Sequence, residues 1–194
     1  MKKIVLFTAL SVIISISGTA FSQTHMNLGA GYFGQTVTYP GIVLEFEMEK
    51  MHSDKASLPF RVDLGVYVHP RNHYGLFADV NFGFRRYFHS GLFLEEAIGL
   101  GVLQSIVHSD GVFQVDENGN VSEGSGAYSP DLMPSLTLGI VYNLTQSKGK
   151  QNLIWVRPKL YWQFPHKTTA LYNPALQVGF THTIKTKQEA SIHP

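Results

Sequence analysis

The sequence of 194 residues contains no cysteine. This absence excludes both a disulfide framework and an N-terminus that is lipid-modified on cysteine. Charged residues are scarce as well, at 15% of the chain, whereas soluble domains usually contain ~25%. The 15 Lys and Arg nearly balance the 14 Asp and Glu, and no block of one sign marks a surface for nucleic acid or anionic lipid.

Long hydrophobic runs are absent except at the N-terminus. Two lysines precede an apolar run over residues 4–16, and Ala20 and Ser22 occupy the −3 and −1 positions for cleavage before Gln23. This pattern predicts a secretory signal peptide over residues 1–22. A single membrane anchor is the alternative, but the run is shorter than the ~20 residues that a spanning helix needs.

A two-residue periodicity dominates the rest of the chain. It is clearest over residues 60–104, where the apolar positions begin with Phe60, Val62, Leu64, Val66 and Val68. Because successive side chains of a strand point to opposite faces, this period predicts β-strands. The predicted strands are 26–33, 42–50, 60–69, 76–85, the run from the turn at 89–91 to 102, 132–144, 153–164 and 172–184.

The two faces of these strands differ, since one is smoothly apolar and the other mixes glycine with charges of both signs. The charges are Glu45, Glu47, Glu49, Asp63, Asp79 and Glu95 with Arg61, Arg85, Arg157 and Lys159. A soluble barrel would carry its charges outside, so we expect an all-β fold: an eight-stranded antiparallel up-and-down transmembrane β-barrel. Its lumen would be just wide enough for side chains. Because buried charges must pair, a structural network is preferred here over a proton-transfer or catalytic cluster.

The connections between strands alternate in length. With the chain starting in the periplasm, the inner connections are 51–56, 89–91 and 146–151, and the outer ones are 70–73, 108–131 and 165–169. Short inner turns, longer outer loops and aromatic girdles are typical of transmembrane barrels. The predicted girdle residues are Tyr74, Phe88, Trp162, Phe164, Tyr172 and Phe180.

The amphipathic last strand, residues 176–184, is similar to the C-terminal assembly signal of small outer-membrane barrels. Together with the strand pattern, it makes the chain resemble the eight-stranded OmpA/OmpX-like group of double-membraned bacteria. Members of that group end on an aromatic, whereas here Ile184 closes the strand. The barrel is therefore predicted over residues 23–185, with a polar tail at 186–194.

This resemblance implies export to the outer membrane with a cleaved signal peptide. It implies outer-membrane lipid around the barrel, and barrel-assembly machinery and periplasmic chaperones as partners during biogenesis. No cofactor and no nucleic-acid partner are expected.

Several residues do not fit an ideal register. Glu96 and His182 fall on the lipid face near predicted periplasmic ends, where a polar residue costs little, unless a bulge shifts the register. Pro134, Pro158 and Pro174 lack the N–H that a ladder needs. Pro158 lies in mid-strand, so we expect a bulge or a broken hydrogen bond there.

The long outer segment contains two local motifs. Residues 116–120 partly resemble a calcium loop, but Val121 and Ala127 replace its required glycine and glutamate. Asn118-Gly119 between hydrophobic residues predicts a type I′ hairpin turn instead. The fifth and sixth strands would then extend beyond the membrane as a ribbon.

Four histidines, His69, His73, His108 and His166, map to the predicted outer rim. Imidazoles gathered there would offer ligands for a transition metal. There is no cysteine and no His-x-His spacing, so ordinary loop histidines are the preferred interpretation and no metal site is predicted.

Two function classes follow from this reading. The first is a non-enzymatic surface protein with a filled barrel, whose outer loops bind an extracellular ligand or support the envelope. The second is a barrel-embedded enzyme of the outer leaflet, comparable to lipid A deacylases and acyltransferases, with a hydroxyl nucleophile, a His base and an acid.

The enzyme candidates are His108, Ser109, Asp110 and His166. Adjacent residues on a strand point to opposite faces, so the consecutive triplet does not form a triad by itself. No spaced motif of the required geometry is present, and we therefore expect a binding or structural role rather than an enzyme. The narrow lumen also disfavours a diffusion channel.

Overall fold

The computed structural model describes residues 23–70, 73–107, 113–115, 119–123, 130–145, 151–166 and 169–188. Within these ranges the chain forms strands β1 Gln23–Gln35, β2 Tyr39–Ser53, β3 Ala56–His69, β4 His73–Tyr87, β5 Leu92–Val107, β6 Phe113–Val115, β7 Val121–Glu123, β8 Asp131–Leu132, β9 Ser135–Asn143, β10 Asn152–His166 and β11 Thr169–Gln188. None of the described residues belongs to a helix with the length and hydropathy needed to cross a membrane.

The strands close into a ring. Strands β1 to β5 each pair with the next, β5 pairs with β8 and β9, these pair with β10, and β11 pairs with both β10 and β1. Every pairing is antiparallel. Since β8 and β9 occupy one position in the wall, the ring has 8 strands, and the predicted up-and-down barrel is confirmed.

The two ends of the barrel carry different connections. The end that holds Gln23 and Gln188, here called the terminal end, has the connections at 54–55, 88–91 and 144–151. The opposite end, here called the loop end, has those at 36–38, 70–72, 108–130 and 167–168. The longest connection is therefore at the loop end, as the alternation of strands requires.

The wall is apolar outside and polar inside. Strand β9 alternates strictly between buried and exposed residues, and the large apolar side chains point outward, with Phe82 63% and Ile98 65% exposed. Five of the predicted girdle residues are exposed: Tyr74, Phe88, Phe164 and Tyr172 near strand ends, and Phe180 in the interior of β11. Trp162, the sixth, is half-buried. Soluble proteins do not expose apolar surface on this scale, and this inversion is the arrangement of a transmembrane barrel.

Two prolines interrupt the wall as their missing N–H groups require. The predicted sixth strand is divided at Met133 and Pro134 into β8 and β9, although Met133 still exchanges backbone hydrogen bonds with Gly101 at 2.7 and 3.0 Å. At Pro158, the ladder between β10 and β9 passes from Val156 to Lys159 without a register shift. The expected disruption at Pro158 is therefore a gap in pairing and not a bulge.

Glu96 and His182 both lie exposed on the outer face. The register stays regular at Glu96. A shift between β1 and β11 falls beyond His182, at Met26 and Asn27. The last strand continues to Gln188, three residues past the predicted barrel boundary at 185. The predicted signal peptide and residues 189–194 lie outside the described residues.

Strands β6 and β7 form a separate two-stranded sheet. Val115 pairs with Val121, which leaves an odd number of residues between them. Asn118 lies outside the described residues, so the type I′ turn at Asn118-Gly119 stays a prediction. Gly119 has a φ of 81°, in the left-handed region that hairpin turns require of their glycine.

Candidate functional site

The most distinctive site in the described residues is a charged network inside the barrel. Its members come from five wall strands, and each is at most 2% exposed. The lumen network comprises Glu45, Glu47, Glu49, Arg61, Asp63, Asp79, Arg85, Glu95, Arg157 and Lys159. All of these side chains point inward because each occupies the inward parity of its strand.

Glu95 on β5 is the centre of the network. Its carboxylate lies 2.5 Å from Arg61 Nη1, 2.5 Å from Arg85 Nη2 and 3.1 Å from Arg157 Nε. One acid thus contacts three guanidinium groups from three other strands. Because like charges repel strongly where water is excluded, the three arginines need further acids around them.

Arg85 obtains those acids from β2. Its Nη2 lies 2.7 Å from Glu47 and its Nη1 2.8 Å from Glu49. Glu49 in turn accepts hydrogen bonds from two neutral donors, Ser57 at 2.6 Å and the Tyr87 hydroxyl. The planar guanidinium, with its five N–H donors, suits such a multi-acid contact better than an ammonium would.

Arg157 links the network to the aromatic lining. It pairs with Glu45, and its guanidinium carbon lies 4.3 Å from the centre of the Trp155 ring. Trp155 Nε1 donates to Thr181 Oγ1 at 2.8 Å, and Thr181 donates to Glu45 at 2.9 Å. The indole needs the glycine at position 179, where a Cβ would lie 2.4 Å from Trp155 Cζ2.

The remaining acids form a smaller group on β3 and β4. Asp63 and Asp79 face each other in register, and the Asn81 amide donates to both at 3.2 and 3.0 Å. Lys159 pairs with Asp79, and Arg61 lies 3.2 Å from Asp63. With six carboxylates and four bases, the lumen network carries a formal charge of −2.

Apolar and aromatic side chains lie on both sides of the charged layer. Toward the loop end, the Phe33 ring packs against Phe77 with centroids 4.6 Å apart and against Tyr67 at 5.7 Å. Toward the terminal end, Tyr87 packs against Phe93 at 4.2 Å. These layers flank the buried charges on both sides, so the arrangement can cross-link the wall electrostatically.

The predicted rim histidines are only partly brought together. The rings of His69 and His73 stack with centroids 5.2 Å apart, and Tyr39 packs on His69 at 3.9 Å. No group of three or more potential metal ligands occurs among the residues that the structure describes.

The described part of the chain does not bring the enzyme candidates together in one site. His108, Ser109 and Asp110 lie outside the described residues, and His166 ends β10 at the loop end.

Sequence reasoning missed several neutral members of the site. Trp155 occupies the same parity as Arg157, so the alternation alone predicts that it points inward. Thr181, Ser57 and Tyr87 share the inward parity of their strands in the same way. The inward glycines were a further signal, because a missing side chain in a filled lumen indicates a large neighbour.

No protein-family model matches the chain, and no curated protein matches its sequence. Among solved structures, the chain is similar to Neisserial surface protein A, with a TM-score of 0.49, 10% identity, and coverage of 84% of this chain and 96% of that chain. It is also similar to the N-terminal β-barrel domain of Pseudomonas aeruginosa OprF, with a TM-score of 0.42, 14% identity, and coverage of 81% and 98%. The outer membrane protein AlkL has a TM-score of 0.33, 12% identity, and coverage of 92% and 96%. At these identities the similarity concerns architecture and does not extend to activity.

Proposed function

We propose that this protein is an outer-membrane barrel that acts as a stable anchor for its loop-end segments, with a structural or ligand-binding role and without an enzymatic one. The observation that carries the proposal is the inverted wall: the apolar side chains face outward while the lumen is filled by paired charges and aromatic rings. A filled interior supports presentation of the loops and disfavours a diffusion channel.

The membrane assignment is tested by expressing the full chain in a double-membraned bacterium. The mature protein should begin near Gln23, fractionate with the outer membrane and migrate faster on gels when it is not boiled. Recovery in the soluble periplasm, or retention of residues 1–22, contradicts this assignment. Planar-bilayer recordings of the purified barrel should show no steady conductance, because side chains fill an eight-stranded lumen.

The loop role is tested by inserting an epitope between Asn118 and Gly119. A Cβ built at Gly119 would meet no atom within 4 Å, so the insertion should leave heat-modifiability intact and expose the epitope to antibody on whole cells. If this hairpin binds a partner, the insertion abolishes binding while the barrel still assembles. Failure to assemble would mean that the segment packs within the barrel and would overturn the loop assignment.

A further inference from the structure

An apolar groove crosses the outside of the barrel in the half nearer the terminal end. It has a volume of about 830 Å³, within the range of ligand pockets. Its walls are two rows of outward side chains from neighbouring strands, and they include Phe82, Phe84, Ile98, Leu138, Pro158 and Leu160. The inward-pointing residues between the two rows contribute the floor.

The groove coincides with the defect in the wall. Pro158 lines it, and the β9–β10 ladder is interrupted at Arg157 and Pro158. The groove and the gap in backbone pairing therefore lie at the same place on the outer face.

One charged side chain of the outer face lines the groove, and a second lies beside the groove on the adjacent strand. Glu96 lines it and is, among the described wall residues, the one carboxylate on the outer face. Arg86 lies on the outer face of the adjacent strand, opposite Leu94 and one step nearer the terminal end. Residues in this diagonal relation have Cα atoms about 7–8 Å apart, within reach of long side chains.

Neither charge has a partner in the part of the chain that the structure describes. No ion pair within 4.0 Å and no hydrogen bond engages the Glu96 carboxylate or the Arg86 guanidinium there. An exposed charge on the lipid face is unfavourable at depth and tolerated near an interface. Each group is therefore available to a counter-charge from the surrounding lipid.

We infer that this groove binds a phospholipid whose headgroup carries a primary ammonium, in the leaflet at the terminal end. The carboxylate of Glu96, which can only accept hydrogen bonds, takes the ammonium, and the guanidinium of Arg86 takes the phosphate. The apolar groove holds an acyl chain. This inference rests on the proposed membrane location and adds a lipid class to it.

The test uses the full mature barrel, purified into mixed micelles that contain equimolar phosphatidylethanolamine and phosphatidylglycerol with identical acyl chains. Native mass spectrometry then counts the lipids that remain bound. The wild type should retain the ethanolamine lipid about two- to fivefold over the glycerol lipid, the range expected for one partly exposed ion pair. Glu96→Gln should bring the ratio to about one, and Arg86→Gln should reduce retention of both lipids.

The matched control is Leu100→Gln, which places the same amide on the same face of β5 beyond the groove, at a residue that is 61% exposed. It should keep the wild-type ratio. Equal retention of the two lipids by the wild type, or an unchanged ratio in Glu96→Gln, overturns the inference. So does a wild-type dimer that Glu96→Gln dissociates, because the groove would then be an interface between two barrels.

Membrane fractionation and heat-modifiability of the same variants separate the two proposals. A barrel that inserts normally but shows no lipid preference refutes the lipid site alone. A protein that fails to reach the outer membrane refutes the proposed function as well.

Discussion

Replacing Arg157 by leucine tests whether the lumen network stabilises the barrel. The leucine still fills part of the space with an apolar side chain. The change removes the ion pair with Glu45, the 3.1 Å contact with Glu95 and the contact with the Trp155 ring. Glu95 retains two arginines at 2.5 Å. Glu45 retains only Arg61, at 3.6 Å, as a charged partner, so the loss falls chiefly on Glu45.

Removing one member of a buried ion pair typically costs about 3–5 kcal/mol, because the other charge stays buried without its partner. We expect Arg157→Leu to lower the free energy of unfolding by about 3 kcal/mol, since Arg61 and the Thr181 hydroxyl still contact Glu45. Glu45→Gln removes the stranded charge. In that background the same arginine substitution should cost at least ~1 kcal/mol less, which is the coupling expected between direct neighbours.

Unfolding by urea in detergent or lipid vesicles, followed by tryptophan emission, measures these changes. The chain has two tryptophans, so a Trp162→Phe background leaves Trp155, beside the substituted arginine, as the sole reporter. Lys50→Leu, which removes an exposed charge from β2, serves as the control and should change stability by less than about 0.5 kcal/mol. If Arg157→Leu is as mild as this control, the lumen is hydrated enough to solvate Glu45, and the argument for a dry network fails.

Two further substitutions test the backbone of the wall. Val37 adopts a φ of 67° in the β1–β2 connection. Because glycine relieves left-handed strain, Val37→Gly should raise the free energy of unfolding by about 1 kcal/mol. Val37→Ala keeps that strain, so an equal gain in both variants would contradict the explanation. Gly179→Leu should prevent normal closure, because even its Cβ would lie 2.4 Å from Trp155; we expect lost heat-modifiability and red-shifted Trp155 emission. Gly139→Ala, whose Cβ contacts begin at 3.1 Å, should assemble, and normal assembly of Gly179→Leu would refute the packing argument.

The positions of the strands and the direction of their side chains could be predicted because both depend on a local period of two. Arg157 and Glu95 are assigned to the lumen by parity alone. Glu96, one residue further along, is assigned to the lipid face by the same rule, and the structure places it there. Strand ends were underestimated, since polar residues such as Thr186 continue the pairing with β1 but carry no apolar signal.

The partners within the lumen could not be predicted in the same way. Arg157 and Glu45 are separated by 112 residues in sequence and meet only because the ring closes with a particular stagger. No local pattern encodes that stagger. The division at Pro134 was foreseeable as a defect, but its form, with Met133 still bonded to Gly101, depends on which side of the ladder the missing N–H would face.

The seam between β1 and β11 has a consequence for how the molecule forms. These strands pair from Gln23 opposite Gln188 to Gln35 opposite Ala175, and the hydrogen bond from Thr183 to Asn27 joins residues 156 positions apart. Closure is thus the least local contact in the wall, and such contacts form slowly. Until the β1–β11 pairing forms, the chain presents two unpaired sheet edges that can pair with other chains. Because the two strands adjoin at this seam, a circularly permuted chain with 23 and 188 connected should reach the same barrel while moving the vulnerable edges elsewhere.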